Sequence, residues 1–285
     1  MLLKSRVLLK KKFLIPLFFL LLFSRQMVVG QDRNTIELGH FISVHSTILN
    51  EERSILVSLP DSYNDPSKTD QLYPIIILLD GYVHFKTTLA IVHFLGSRTN
   101  RNYLMPETIV VAIENVDRER DFTITKLQTK RANTMGGGKK FLDFIETELI
   151  PYVDNHYRAA PHRTLIGHSL GGLLTVNAYL DPNSLFDAYL AIDPSIWWDE
   201  TTMESKLASM TLTSINKKLY WATANQGETN YEKNKKRHDR FVAMMGERWD
   251  DKLQVKHDYF EKENHRSVPL PALYEGLKYL NETHE

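Results

Sequence analysis

The chain has no cysteine, which excludes disulfides, thiolate metal centres and lipid attachment of the bacterial lipoprotein type. It also lacks a surplus of either charge, with 35 Lys and Arg set against 35 Asp and Glu. A binder of phosphate backbones normally gathers a basic excess on one face; none is visible, so nucleic acid is not an expected partner. No HExxH or similar ligand cluster occurs, and neither a metal nor another cofactor is expected. A long apolar run is missing too. FLIPLFFLLLF at 13–23 covers 11 residues, where a membrane-spanning helix needs roughly 20. Without cross-links, stability has to come from a core, and 285 residues that are 42% hydrophobic suffice for one α/β domain.

The first thirty residues, MLLKSRVLLKKKFLIPLFFLLLFSRQMVVG, carry six of the basic residues and no acid. A basic start, a short apolar centre, and small residues at Val28 and Gly30 read as a signal peptide, with the mature chain at 31–285. An uncleaved N-terminal anchor is the alternative. Removing the segment leaves 29 of the 35 basic residues against 35 acidic ones, a mildly acidic protein. A secreted or periplasmic location without stable membrane association is expected.

Beyond the signal, TIELGHFISVHSTIL and ERSILVSLP alternate apolar and polar residues and predict an antiparallel hairpin. The pattern then changes. YPIIILLD, ETIVVAI, RTLIGH, AYLAID, KLYWATA and LQVKHDYF are short apolar runs without alternation, as expected of strands buried on both faces of a parallel sheet. GGGKKFLDFIETELIPYVDNHY, GLLTVNAYL and LPALYEGLKYL carry the helical period between and after them. One three-layer α/β domain follows from this alternation. The most polar stretch, GETNYEKNKKRHDR, reads as a solvated helix face or exposed loop.

The stretch LIGHSLGGLL at 165–174 places Ser169 between a strand and a helix in the pattern G-x-S-x-G. A nucleophile at the tip of so sharp a turn sits in strained backbone, and side chains two residues before and after it are expected to collide, so Gly167 and Gly171 both fit. The turn puts Ser169 at the positive end of the following helix, where the amide of Leu170 is aimed at a developing oxyanion. A serine hydroxyl needs a base to take its proton. With the chain order serine, acid, histidine, and the histidine in a loop after the last strand, KENHRSVP selects His265 over His257 and His284. The orienting acid is expected at Glu228, just past KLYWATA; Asp193, at the end of AYLAID, competes with it, and a Ser-His dyad is a third option. On this assignment Glu228→Gln should cost more activity than Asp193→Asn.

LLDGY at 78–82, IENVDRERDFT at 113–123, GGGKKFLDFIETELIPYVDNHYR at 136–158, LIGHSLGG at 165–172, DPSIWWD at 193–199 and ENHRSVPLPALYEGLKYL at 263–280 occur in the order seen in the putative-esterase, esterase-D-like branch of the α/β-hydrolases, which the chain resembles over nearly all of residues 35–280. The branch includes enterobactin-type siderophore esterases, feruloyl and acetyl-xylan esterases, S-formylglutathione hydrolases and mycolyltransferases. The resemblance implies an α/β-hydrolase fold, a mostly parallel central sheet with an antiparallel N-terminal hairpin and helices on both faces. It implies Ser169 as nucleophile, His265 as base, and the backbone amide of Tyr82 as the second oxyanion donor beside Leu170. Arg118 and Arg120 are implied to face an anionic substrate, although Arg120 and Asp121 could equally tie loops together, and Trp197 or Trp198 to line the pocket. Asp193 stands where the family pattern usually has serine, which keeps it open as the acid.

The activity implied is serine carboxylic-ester hydrolysis through an acyl-enzyme, on a small-molecule ester such as a siderophore trilactone. Carbohydrate-linked feruloyl or acetyl esters, and serine acyl transfer to another alcohol, are the alternatives within catalysis. A catalytically silent hydrolase-fold binding protein is the alternative outside it, and loss of the serine or the histidine would be its simplest mark; both are present. The localisation is directly testable: protein recovered from the periplasm or the medium should have lost the residues up to about Gly30 by intact mass, and a retained Met1 would rule out cleavage.

Overall fold

The computed structural model describes residues 36–210, 217–249 and 254–282; the expected signal segment at 1–30 lies outside them. The chain divides into two units, Met1–Glu37 and Leu38–Glu285, and all that follows concerns the second. Its strands are β1 (His40–Ser46), β2 (Glu51–Ser58), β3 (Tyr73–Leu78), β4 (Ile109–Ile113), β5 (Ala159–His168), β6 (Ala188–Ile192), β7 (Lys218–Ala224) and β8 (Val255–Phe260). They form one eight-stranded sheet in the order β1-β2-β4-β3-β5-β6-β7-β8. β2 pairs antiparallel with both β1 and β4, and the other pairings are parallel. This is the α/β-hydrolase arrangement expected from the sequence, with the N-terminal hairpin in place.

The unalternating strand runs follow from burial on both faces. Along β3, Ile75 and Ile77 enter one core while Ile76 and Leu78 enter the other, and along β7 Leu219 and Trp221 part from Tyr220 and Ala222 in the same way. On the first face lie α3 (Gly138–Phe144), α4 (Ile150–His156), α5 (Leu170–Tyr179), α6 (Thr202–Ser209) and α7 (Lys235–Trp249); on the second lie α1 (Gly81–Gly96) and α8 (Pro269–Asn281). A short α2 (Arg118–Phe122) also packs on the first face through Phe122. Among the described residues no helix is long and apolar enough to cross a membrane.

The helical period at 136–157 is broken in the structure. A π-helical turn, Ile145–Leu149, separates α3 from α4. Pro151 follows it, and a proline inside a helix has no N–H to give and presses its ring on the carbonyl four residues back, so the ladder widens there. The polar stretch 227–240 is largely the solvated segment expected, with two exceptions. It supplies the 3-10 turn Glu228–Asn230 and the start of α7, but Asn234 and His238 are buried.

A buried ion network ties the hairpin to α2. Arg53 is fully buried; its Nη1 donates to Glu51 Oε1 at 2.8 Å and Asp121 Oδ2 at 2.9 Å, and its Nη2 to the Glu114 carbonyl at 2.9 Å. Its guanidinium lies 5.1 Å from the Phe141 ring centroid. Arg120 closes the network, donating to Asp121 Oδ1 at 2.7 Å and Glu51 Oε1 at 2.6 Å. Breaking a buried pair from one side costs about 3–5 kcal/mol. Because Arg120 still covers one oxygen of Asp121, Arg53→Leu should fall at the low end, roughly 3 kcal/mol, measured as a shift of the urea unfolding midpoint.

Candidate active site

β5 ends at His168 and α5 begins at Leu170, with Ser169 between them at φ 61°, ψ −118°. A non-glycine residue there costs on the order of 1–3 kcal/mol and has to be held in place by its surroundings. The Ser169 amide donates to the Ile192 carbonyl at 3.0 Å, and the Ser169 carbonyl accepts from the amides of Leu173 at 2.9 Å and Ser195 at 3.0 Å. A Cβ on Gly167 would lie 2.2 Å from the Gly171 carbonyl oxygen, so glycine is obligatory at that position. At Gly171 it is not: the nearest atom to an added Cβ is Asp80 Oδ2 at an ordinary 3.4 Å. The second tight approach is at Gly172, whose Cβ would stand 2.9 Å from Pro194 Cα.

The structure brings Ser169 and His265 together, with His265 Nε2 3.0 Å from Ser169 Oγ. His265 is carried by the loop between β8 and α8. There the Asn264 side chain accepts from the amides of Arg266 at 2.8 Å and Ser267 at 3.2 Å, an Asx turn that turns the chain toward α8. The structure does not bring Glu228 to the histidine. Glu228 is exposed in its 3-10 turn, and Asp193 occupies the position instead, with Oδ2 2.6 Å from His265 Nδ1. The correction has a simple geometric cause. β6 runs next to β5, so its C-terminal end delivers Asp193 beside the serine turn, whereas the chain leaving β7 turns outward after Gln226, carrying Glu228 to the surface before Asn234 brings it back to Asp193.

Asp193 sits at φ 40°, a left-handed conformation that Asp tolerates better than most side chains. Its carboxylate is almost fully buried. Besides His265, Oδ2 accepts from Gln226 Nε2 at 2.6 Å, and Oδ1 accepts from the Ala224 amide and Asn234 Nδ2, both at 3.0 Å. Burial alone would raise its pKa; the hydrogen bonds from His265, Ala224 and Asn234, with the nearby His238, outweigh it and hold the pKa below the usual value. With Nδ1–H donated to Asp193, Nε2 of neutral His265 is left as an acceptor for the serine proton.

His238 locks the next residue of the acid loop. It is fully buried, with Nε2 2.8 Å from the Pro194 carbonyl and Nδ1 2.8 Å from Thr223 Oγ1, which in turn lies 2.8 Å from His257 Nε2. A carbonyl only accepts, so His238 carries its proton on Nε2 and takes the Thr223 hydroxyl proton at Nδ1, and His257 donates to Thr223.

Two helices begin at the site. α1 follows Asp80, a buried residue in left-handed conformation whose carbonyl accepts the amides of Val83 at 2.9 Å and His84 at 3.1 Å. Tyr82 in α1 and Leu170 in α5 are first-turn residues, whose amides have no intrahelical acceptor. Asp80 Oδ2 lying against Gly171 brings the start of α1 to the first turn of α5. The two arginines expected to meet substrate have partners within the protein. Arg118 donates to Asp80 at 2.6 and 2.9 Å and to the His168 carbonyl at 3.3 Å. Arg120 belongs to the Glu51–Asp121 network, the loop-tying role. Trp198 is buried; Trp197 is half-buried, with Lys233 Nζ 3.6 Å from its ring centroid. Ser195, whose Oγ is 3.4 Å from that of Ser169, was not singled out by any motif, and neither were Gln226, Asn234 and His238.

Residues 46–266 match the family described as "Putative esterase". The chain is 33% identical over 168 residues to the ferri-bacillibactin esterase BesA of Bacillus subtilis, covering 53% of this chain and 57% of that protein. It is 33% identical over 154 residues to the siderophore triacetylfusarinine C esterase of Aspergillus fumigatus, covering 51% and 52%. The chain thus spans about half the length of the curated relatives it matches. The solved structure of an IroE-like serine hydrolase from Shewanella oneidensis superposes with a TM-score of 0.76 at 30% identity, over 85% of this chain and 80% of that one.

His238 also predicts how stability responds to acid. Burial lowers its pKa from 6.5 to about 4, so between those values the unfolded chain binds a proton that the folded chain does not, and stability falls as pH drops from 6.5 toward 4. The loss from this one residue should approach about 3 kcal/mol at pH 4, taking about 1.4 kcal/mol per pKa unit. Urea unfolding at pH 7.5 and pH 4.5 should show a smaller pH difference in His238→Gln than in the unaltered protein.

Proposed function

Because this chain belongs to the putative-esterase family, we propose that it is a serine ester hydrolase whose natural substrates are siderophore esters. The observation that carries the reading is the continuous contact from Ser169 Oγ through His265 to the desolvated Asp193 carboxylate. That the relatives named above are esterases of ferri-bacillibactin and triacetylfusarinine C favours the siderophore class.

The proposed course begins with Ser169 Oγ attacking the ester carbonyl while its proton passes to His265 Nε2. Asp193 stabilises the resulting imidazolium and fixes the ring orientation. The amides of Leu170 and Tyr82, each at a helix start, hold the tetrahedral oxyanion. The imidazolium then gives its proton to the departing alkoxide, leaving an acyl-serine. Water enters, loses a proton to the same histidine, and attacks the acyl carbon; collapse releases the acid and restores Ser169. The reading extends to export, with the basic, apolar N-terminal segment as its support.

Purified protein should hydrolyse ferric or iron-free catecholate trilactones faster than feruloyl sugars or short p-nitrophenyl esters, and the opposite ranking would remove the siderophore assignment. Ser169→Ala should lose on the order of a million-fold in turnover, as seen when a serine hydrolase loses its nucleophile. Asp193→Asn should lose up to roughly ten-thousand-fold by allowing the wrong tautomer, while Glu228→Gln stays within about threefold of the unaltered protein, the behaviour of a residue outside the acid-base machinery.

A further inference from the structure

The loop bearing His265 is held from one side by a histidine outside the proposed acyl transfer. His168, the last residue of β5, places Nε2 2.8 Å from the backbone carbonyl oxygen of His265, and the two rings lie 4.5 Å apart. A carbonyl has no proton to give, so Nε2 must carry one. Burial chiefly, with the neighbouring His265 and His84, lowers the His168 pKa to about 4. At neutral pH the ring is therefore uncharged, with its single proton on the nitrogen that faces the carbonyl. His84 meets the same ring edge-on at 5.4 Å, Asp193 lies within electrostatic reach, and Arg118, paired with Asp80, donates to the His168 carbonyl.

The other ties on this loop act before or after the histidine. The Asn225 amide donates to the Glu263 carbonyl at 2.8 Å, and the Val268 amide to the Asn264 carbonyl at 3.0 Å. The carbonyl of His265 itself goes to His168. Pinning that carbonyl fixes the peptide plane next to the Cα of His265, and with it the direction in which the imidazole leaves the chain.

We propose that His168 is a positioning residue for the general base: its Nε2–H bond to the His265 carbonyl sets the placement of the His265 imidazole against Ser169 and Asp193. A neutral donor is what the chemistry requires there. Lysine or arginine could make the same bond, but would place a permanent positive charge beside an imidazole that has to become an imidazolium as Ser169 attacks.

The inference rests on the ester-hydrolase reading, and its test separates the two. In His168→Gln the amide nitrogen occupies the place of the ring Nε2 and stays neutral; in His168→Asn the side chain is polar but too short. With p-nitrophenyl butyrate, His168→Asn should lower kcat roughly ten- to hundredfold, the scale of a small misplacement of a catalytic group, with KM within about threefold. His168→Gln should recover most of that loss. The proton NMR spectrum should show the low-field Nδ1–H resonance of His265 in the unaltered protein and in His168→Gln, and show it broadened or lost in His168→Asn, with circular dichroism confirming that each is folded. Equal kcat and an intact resonance in His168→Asn would overturn the proposal, as would equal losses in the two variants. If His168→Asn does not fold, a folded but inactive His168→Gln overturns it. If the unaltered protein hydrolyses no ester, the function reading fails, while the resonance still decides the role of His168.

Discussion

A carboxylate removed from water has to be supplied with donors on both oxygens, or it reverts to the neutral acid. Asp193 is that carboxylate, and the end of the sheet is arranged around it. Its four donors come from separate places in the chain: the end of β7 through the Ala224 amide, the segment beyond it through Gln226, the approach to α7 through Asn234, and the loop before α8 through His265. The parallel order β5-β6-β7-β8 brings all of these to one edge. A buried charge with its partners spread in this way makes the local arrangement cooperative, because displacing any one segment leaves a donor missing from the ion.

A second buried carboxylate, Asp80, lies at the start of α1 against the first turn of α5, and it is balanced differently. Arg118 lies against it with two nitrogens and Asn115 Nδ2 donates at 2.6 Å. Two helix N-termini meet here, and an uncompensated negative charge would oppose the oxyanion that the proposed reaction develops. The guanidinium expected to face a substrate anion also neutralises the protein's own charge. Its remaining exposure, about a third of the side chain, leaves one face of the ion pair at the surface.

Much of this was legible in the sequence, for identifiable reasons. The strands announced themselves because burial on both faces removes alternation, and the serine turn because strand, small residues and helix follow one another directly. His265 was found by its place after the last strand. Chain order permits either Glu228 or Asp193 beside the histidine, and the choice depends on where β6 and β7 end relative to β5, which periodicity does not encode. The helix 136–157 looked continuous because an apolar repeat is insensitive to one widened turn. The charged run 227–240 concealed Asn234 and His238 because their burial depends on the carboxylate and the carbonyl they meet, neither of which is near them in sequence. Of the two glycines expected to relieve crowding at the elbow, Gly167 does so, and Gly172 rather than Gly171 is the second.

That last contact bears on how related chains should be read. Gly172 lies in α5 and touches Pro194, the residue after the acid, so a single added methyl group would act on the acid loop without touching Ser169, His265 or Asp193. A descendant with alanine at this position would keep every residue by which a working hydrolase is usually recognised, while its methyl group pressed on Pro194 and forced a shift beside the acid. Inheritance of the three side chains is therefore a weaker test of retained chemistry than inheritance of the three together with a residue that has no side chain.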